Sequence, residues 1–540
     1  MVAQAGRRDL RRPNGASIFL PMPDNVHDGT PLTYVDTAWL HMEDPTNLMM
    51  VTGIFIFDRP LDFSRVRDTL QGRMADRFPR LRHRVKQDGS SAHWVEDPTF
   101  NMDAHLHKMA LPAPGDLGAL RDVVSDLMST PLDFSKPLWQ CHYIEGLGPG
   151  SAILLRFHHC IGDGVALVHV ILSLTDTAAD APWPKRTKLM AHEENVGERI
   201  VSLIDGARSA VERTVGAARK MTGALLQEGV EALLHPSHVL DVAQTTTDAA
   251  AILVKLLLKG ADPATLFKGE LGVAKRSAWS RPIRLDDVKA VGKTVGGTVN
   301  DVLLTAVTGA LRRYLLEHGV RVDGVEINAM VPVNLRPLSE ADQLGNRFGL
   351  IYLALPVGTD DHAERLRLVK ARMDEIKSSP QPFVTFQILN ALGLAPLEVA
   401  ELAVKMFGTK ATAVMTNVIG PKQPVYFAGE RVRTWLGWVP QSGRMGLGVS
   451  IFSYDGQVVV GVASDKGLVP DPESIATAFE EEFEALVEWA SRAAKVAVPE
   501  FPPARRNVAT RAASKKKTAP RKEAPRPQAK GSKRPKTGAR

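Results

Sequence analysis

LRFHHCIGDGVALVH, residues 155–169, sets two histidines side by side after an apolar run and follows them, three residues on, with Asp-Gly. Residues 151–159 read as a strand and residues 165–174 as a helix. The histidines therefore stand where a strand gives way to a helix. Side chains alternate along a strand. With the strand continued to His159, that ring shares a face with Leu155 and Phe157, and His158 points the other way. Rings so opposed cannot converge on one metal ion, and ligation needs converging donors. They fit divided labour instead: one ring faces a reaction channel while the other packs or makes a structural hydrogen bond. Imidazole accepts a proton near neutral pH. Asp163 can fix a histidine tautomer or hold the loop through an Arg partner. Gly162 and Gly164 permit a sharp turn and let a substrate approach the backbone closely.

Working outward, residues 51–57 (VTGIFIF) read as a buried strand, and residues 62–78 as a helix capped at Asp62 or Ser64. From about residue 185 the pattern changes. Apolar residues recur at helical spacing from Ile200 to Leu225, with Pro236 ending one helix and Pro263 following another. This suggests a long helical connector, packed across the halves or touching a membrane. After residue 271 mixed signals resume. Residues 286–293 and 299–317 read as helices, 325–333, 350–355 and 458–463 as strands, and 470–490 as a final helix. The expected organisation is a flexible segment over 1–30, a mixed half over 31–184, a connector over 185–270, a second mixed half over 271–500 and a tail over 501–540.

The chain has 540 residues, enough for two large domains. Its hydrophobic content of 44% can fill a sizeable core. The net charge of +7 is misleading. Residues 504–540 hold fourteen Lys or Arg against one acid, Glu523; that +13 leaves −6 on the remainder. The tail has no aromatic residue and cannot offset its chain entropy, so disorder is expected. Contact with nucleic acid is expected only through it, if at all. Cys141 and Cys160 form neither a disulfide framework nor a C-x-x-C pair, which points to a reducing, cytoplasmic setting. No run of about 18 apolar residues occurs. The expectation is a cytoplasmic protein, soluble or peripheral at an inner membrane or lipid-inclusion surface. There is no G-x-S-x-G for a serine hydrolase. Gly292-Lys293-Thr294 mimics the end of a P-loop, but Asp287 stands where the first glycine belongs.

HHCIGDG resembles the active-site motif of the CoA-dependent acyltransferase superfamily. Within it, the chain looks most like the bacterial wax ester synthase/diacylglycerol acyltransferases. Further stretches carry the resemblance: Pro137-Leu138-Trp139, Asn300-Asp301 in TVNDVLL, VPVNLRP from Val331 (with Asn334 where the family often has Ser), TNVIGP from Thr416, and the opening YVDTAWLHMED. It covers about residues 32–490. The resemblance implies an α/β fold of two acyltransferase lobes with mixed sheets and a tunnel between them. It implies acyl-CoA as co-substrate, no permanently bound cofactor and no metal. The acceptor would be diacylglycerol or a long-chain fatty alcohol. His159, matching the family's second histidine, would be the general base, with His158, Asp163 and Gly164 completing the catalytic motif.

The remaining motif residues have plainer readings beside the functional one. Trp139 suits a core anchor. Asn300 or Asp301 suits an N-cap of the helix that follows. Asn417 with Gly420-Pro421 reads as a turn, and Asp36 as a helix cap. The competing functional readings are a superfamily acyltransferase with another alcohol or an amine as acceptor, and a non-catalytic lipid-droplet protein. No oxyanion donor is identified by the sequence.

Overall fold

The computed structural model describes residues 29–89, 91–181, 248–337, 340, 343–377, 379–441 and 445–496. The readings of the N-terminal segment, the stripe from Ile200 to Leu225, Pro236 and the basic tail lie outside the described residues.

Two mixed sheets carry an α/β fold. In the first, the order is Thr434–Trp438, Met50–Phe57, Gly150–His158, Trp139–Leu147, Leu106–Ala110. Gly150–His158 is buried at all nine positions, which is why its sequence is a nearly continuous apolar run. It ends at His158, one residue short of the expected end, so His159 opens the turn and takes its direction from that turn. The edge strand comes from far along the chain. Thr434–Trp438 pairs antiparallel with Met50–Phe57, Thr434 opposite Ile56 and Trp438 opposite Thr52. The expected boundary at 271 therefore does not separate the strands of the two sheets. Register between strands this remote is set by packing and leaves no mark in the local sequence TWLGW.

The second sheet runs Ile283–Arg284, Gln457–Asp465, Leu447–Tyr454, Ala413–Ile419, Ile327–Asn334, Phe348–Leu355, with Lys275–Trp279 also on Gln457–Asp465. Ala413–Ile419 is parallel to both its neighbours. Helices Val299–Glu317 and Pro472–Val496 bury Val302, Leu303, Phe479 and Leu486 in the core of this sheet. Val299–Glu317 has its expected bounds, but its cap is Thr298. The Thr298 hydroxyl accepts from the Asp301 N–H at 3.3 Å, and the Asp301 carboxylate accepts from the Thr298 N–H at 2.7 Å. Asn300 is thus not the cap. Nor is Asp36, since Thr33 caps Tyr34–His41 by accepting the Asp36 N–H at 3.1 Å. Asn417 lies within the strand Ala413–Ile419 and not in a turn.

Helix Gln381–Leu394 joins the two sheets. It packs on Phe348–Leu355 and on Tyr34–His41 with unusually close backbone approach. A Cβ at Gly349 would stand 1.7 Å from the Pro382 carbonyl oxygen, and one at Gly393 would stand 1.7 Å from that of Tyr34. The two glycines let this helix press the Tyr34–His41 helix, with Asp36 and Trp39, against the second sheet.

Candidate active site

The HHCIGDG turn holds its two rings in opposite tautomers. The His158 N–H donates to the Leu138 carbonyl at 2.9 Å, which ties the strand end to the Pro137-Leu138-Trp139 segment. All three of those residues are buried, and Trp139 Nε1–H donates to the Leu81 carbonyl at 2.7 Å. On the His158 ring, Nδ1 accepts the Cys160 N–H at 3.1 Å. The proton therefore sits on Nε2, 3.4 Å from the Glu43 carboxylate, which also accepts the Met49 N–H. The lone pair of His158 is already taken.

His159 is built the other way. Its N–H donates to the Met49 carbonyl at 2.7 Å, and its ring stacks on Trp39 with centroids 3.9 Å apart and planes 12° apart. Nδ1 lies 2.9 Å from Asn346 Oδ1. The Asn346 amide nitrogen is committed to Asp36 Oδ1 at 2.8 Å and to the His159 carbonyl at 2.7 Å. Asn346 can thus only accept from the ring, so Nδ1 carries the proton and Nε2 keeps its lone pair. No described hydrogen bond uses Nε2. Burial lowers the His159 pKa to about 4, against smaller opposing effects from hydrogen bonds and Asp163. Asp36 is fully buried. Its Oδ1 also accepts the Asn346 N–H at 3.0 Å, and its Oδ2 lies 3.7 Å from Arg80.

Asp163 anchors the turn. Its Oδ1 caps the helix Gly164–Ser173 through the Ala166 N–H at 2.9 Å. Its Oδ2 accepts from Arg336 and from the Arg347 N–H, both at 2.9 Å. These bonds fasten the turn to the segment that carries Asn346; none of them goes to a histidine. The carboxylate holds the loop through an arginine, the second of the two roles open to it in the sequence.

A cavity of about 240 Å³, partly open to solvent, lies in front of this turn. His159, Asp163 and Gly164 line it, with Trp39 and Phe348 beside the ring. Asn334, Thr416 and Asn417 add polar groups; the rest of the wall is mainly aliphatic. His158, Pro137, Leu138, Trp139, Asn300 and Asp301 do not line it. Asn300 reaches it indirectly, by accepting from the Asn417 side-chain amide. The Thr416 hydroxyl is buried in the wall with no hydrogen-bond partner.

Sequence reasoning missed Trp39, Asn346, Arg336 and Thr416 as site residues. Three of them stand in the quoted stretches YVDTAWLHMED, VPVNLRP and TNVIGP. Asn346, in GNRFG, had no such flag.

The profile of the wax ester synthase/diacylglycerol acyltransferase catalytic domain matches residues 32–303, and that of the WS/DGAT C-terminal domain matches residues 344–487. The chain belongs to this family. It is an acyltransferase, with a mixed-sheet, two-lobed fold of the CoA-dependent type. The probable diacylglycerol O-acyltransferase tgs2 of Mycobacterium tuberculosis is 32% identical over 417 residues, 74% of this chain and 85% of that protein. The wax ester synthase/diacylglycerol acyltransferase of Marinobacter aquaeolei VT8 superposes with a TM-score of 0.61 at 22% identity, over 86% of this chain and all of that one. The starter condensation domain of rhizomide synthetase, solved with C8-CoA, gives a TM-score of 0.51 at 12% identity, over 86% of this chain and 95% of that one. Among the described residues of this acyltransferase, no group of three His, Cys, Asp or Glu could hold a metal ion. No described helix is long and apolar enough to cross a membrane.

Removing the Asp163 carboxylate would leave Arg336, buried with it, unpaired. Asp163→Ala is expected to lower folding stability by about 3–5 kcal/mol in chemical denaturation. A loss below about 1 kcal/mol would contradict the anchoring role.

Proposed function

We propose that His159 is the general base of acyl transfer from acyl-CoA to the hydroxyl of a diacylglycerol or long-chain alcohol, giving triacylglycerol or wax ester. The observation that carries this is the tautomer pair. The acceptor nitrogen of His158 is occupied, whereas the free lone pair of His159 belongs to a ring that lines the cavity. The names of the relatives support the acceptors, and the C8-CoA complex of a protein with this fold supports the donor.

The chemistry follows from the ring. An alcohol is a weak nucleophile until its proton leaves. His159 Nε2 takes that proton as the oxygen attacks the thioester carbonyl. The tetrahedral oxyanion collapses, the C–S bond breaks, and the imidazolium returns the proton to the departing CoA sulfur. No acyl-enzyme forms. A ring whose pKa is depressed to about 4 is a modest base, but its protonated form is a strong acid, so proton return to the thiolate runs downhill. The oxyanion needs a donor. Thr416 supplies one in this reading: its buried hydroxyl has no partner and belongs to the same wall as His159. Asn346 and Asp36 act through His159, as positioning residues.

Purified protein, offered hexadecanoyl-CoA with diacylglycerol or hexadecanol, is expected to form ester. His159→Ala lowers that rate by about 10²–10⁴-fold; full retention would remove the base assignment. In the same assay, the acid limb of kcat/KM falls near pH 4, because the folded ring stays neutral below its ordinary value of 6.5. Between those values the unfolded chain binds a proton that the folded chain does not. The associated stability is therefore complete above 6.5 and is lost as pH falls toward 4. An acid limb at 6.5 would contradict the burial argument.

Thr416→Val separates catalysis from packing. It is expected to cut kcat about a hundredfold with KM little changed, while the melting temperature holds or rises, because a hydroxyl without a partner contributes no folding energy. Unchanged kcat would discard Thr416 as the oxyanion donor.

A further inference from the structure

Asn334 lines the cavity and has no part in the proton transfer described above. It closes the strand Ile327–Asn334. Side chains two residues apart on a strand share a face. Met330, Pro332 and Asn334 therefore form one stripe on the cavity wall, apolar for two residues and polar at its end. On the neighbouring strand Phe348 stands opposite Asn334. Side chains so paired have Cβ atoms about 5 Å apart. Phe348 in turn lies beside the His159 ring, with centroids 5.7 Å apart. Asn334 is thus one strand spacing beyond the residue that flanks the imidazole.

The direction of its amide is fixed. The Arg336 backbone N–H donates to Asn334 Oδ1 at 2.9 Å. A backbone N–H meets only an acceptor, so the oxygen turns toward its own chain and the NH2 group turns away from it. No described hydrogen bond uses that NH2 group. The other asparagine on this wall differs, because Asn417 already donates from its amide nitrogen to Asn300. Arg336 is itself held by Asp163, Nη2 to Oδ2 at 2.9 Å. The Asn334 amide is therefore tied to the HHCIGDG turn, and its donor direction is set before any ligand arrives. An amide donor facing an apolar wall costs free energy unless an acceptor meets it. A neutral NH2 group suits a neutral carbonyl, whereas a phosphate calls for Arg or Lys.

We infer that Asn334 Nδ2 donates to an ester carbonyl of a diacylglycerol acceptor, and so favours glycerides over alcohols whose hydroxyl stands on a bare alkyl chain. This rests on the acyl-transfer reading above. A diacylglycerol carries its ester carbonyls a few bonds from the free hydroxyl. With that hydroxyl at His159 Nε2, a carbonyl reaches past Phe348 to Asn334. Hydrocarbon follows the carbonyl in the glyceride, as Pro332 and Met330 follow Asn334 in the wall. A fatty alcohol has the hydrocarbon without the carbonyl. The pantetheine arm of CoA also carries carbonyls, but its amides recur along the arm and no hydrocarbon follows them.

The test removes the donor and the acceptor in turn. Dioctanoylglycerol and the diether dioctylglycerol share a free hydroxyl and chains of equal length, and only the diester has carbonyls. With hexadecanoyl-CoA as donor, the wild type is expected to favour the diester about tenfold in kcat/KM, the worth of one hydrogen bond. Asn334→Ser keeps an oxygen for the Arg336 N–H but loses the amide donor, and the diester-to-diether ratio is expected to fall about tenfold, to near one. A wild type without the preference overturns the proposal. So does an equal loss on diester, diether and hexadecanol, which would move the contact to the CoA arm. Should Asn334→Ser not fold, Asn334→Asp retains Oδ1 for the Arg336 N–H, lacks the donor and is read by the same ratio. A wild type that esterifies hexadecanol but neither glyceride also overturns the proposal. Failure to esterify any of the three acceptors would instead strike at the acyl-transfer reading itself.

Discussion

Everything at the centre of this acyltransferase depends on a short chain of hydrogen bonds, from Asp36 through the Asn346 amide to His159 Nδ1. Each link constrains the next. Asp36 claims the amide nitrogen, so the amide oxygen must face the imidazole, and the imidazole must present a proton to it. The lone pair is thereby left on Nε2. Asp36 rides on the first helix, His159 follows the central strand of the first sheet, and Asn346 precedes the edge strand of the second. The His159 ring is thus oriented only when both sheets are in place, and Asp163 with Arg336 holds that junction closed.

Two adjacent histidines have become chemically unlike groups without differing in type. A backbone N–H from Cys160 occupies the nitrogen of His158 that could have accepted a proton, while a carboxylate-oriented amide accepts the Nδ1–H of His159 and leaves its Nε2 lone pair open. Burial keeps the His159 ring neutral, while stacking on Trp39 fixes its plane. The cavity before it changes from polar near the turn to apolar toward Met330 and Leu350, which matches a reaction whose polar event sits at the end of a long hydrocarbon.

Elements governed by local rules were legible from the chain alone. Helix Val299–Glu317 and strand Met50–Phe57 emerge from periodicity, and the HHCIGDG turn from its composition. Features fixed at long range were not. Strand Thr434–Trp438 joins a sheet built mainly from residues some three hundred positions earlier, and TWLGW says nothing of that partner. Asn346 meets His159 across 187 residues, and an Asn after Gly reads locally as loop. The capping roles given to Asp36 and Asn300 failed because a better-placed threonine stood just ahead of each. Parity along the strand misled by one residue, since the chain leaves its extended path at His159.

The central claim is a protonation pattern, and nitrogen NMR of isotope-labelled histidine in the intact protein reads it directly. At neutral pH the account predicts that His159 is neutral with its proton on Nδ1 and a bare Nε2, and that Asn346→Ala loses this preference. A wild-type His159 protonated on Nε2, or doubly protonated, would contradict it.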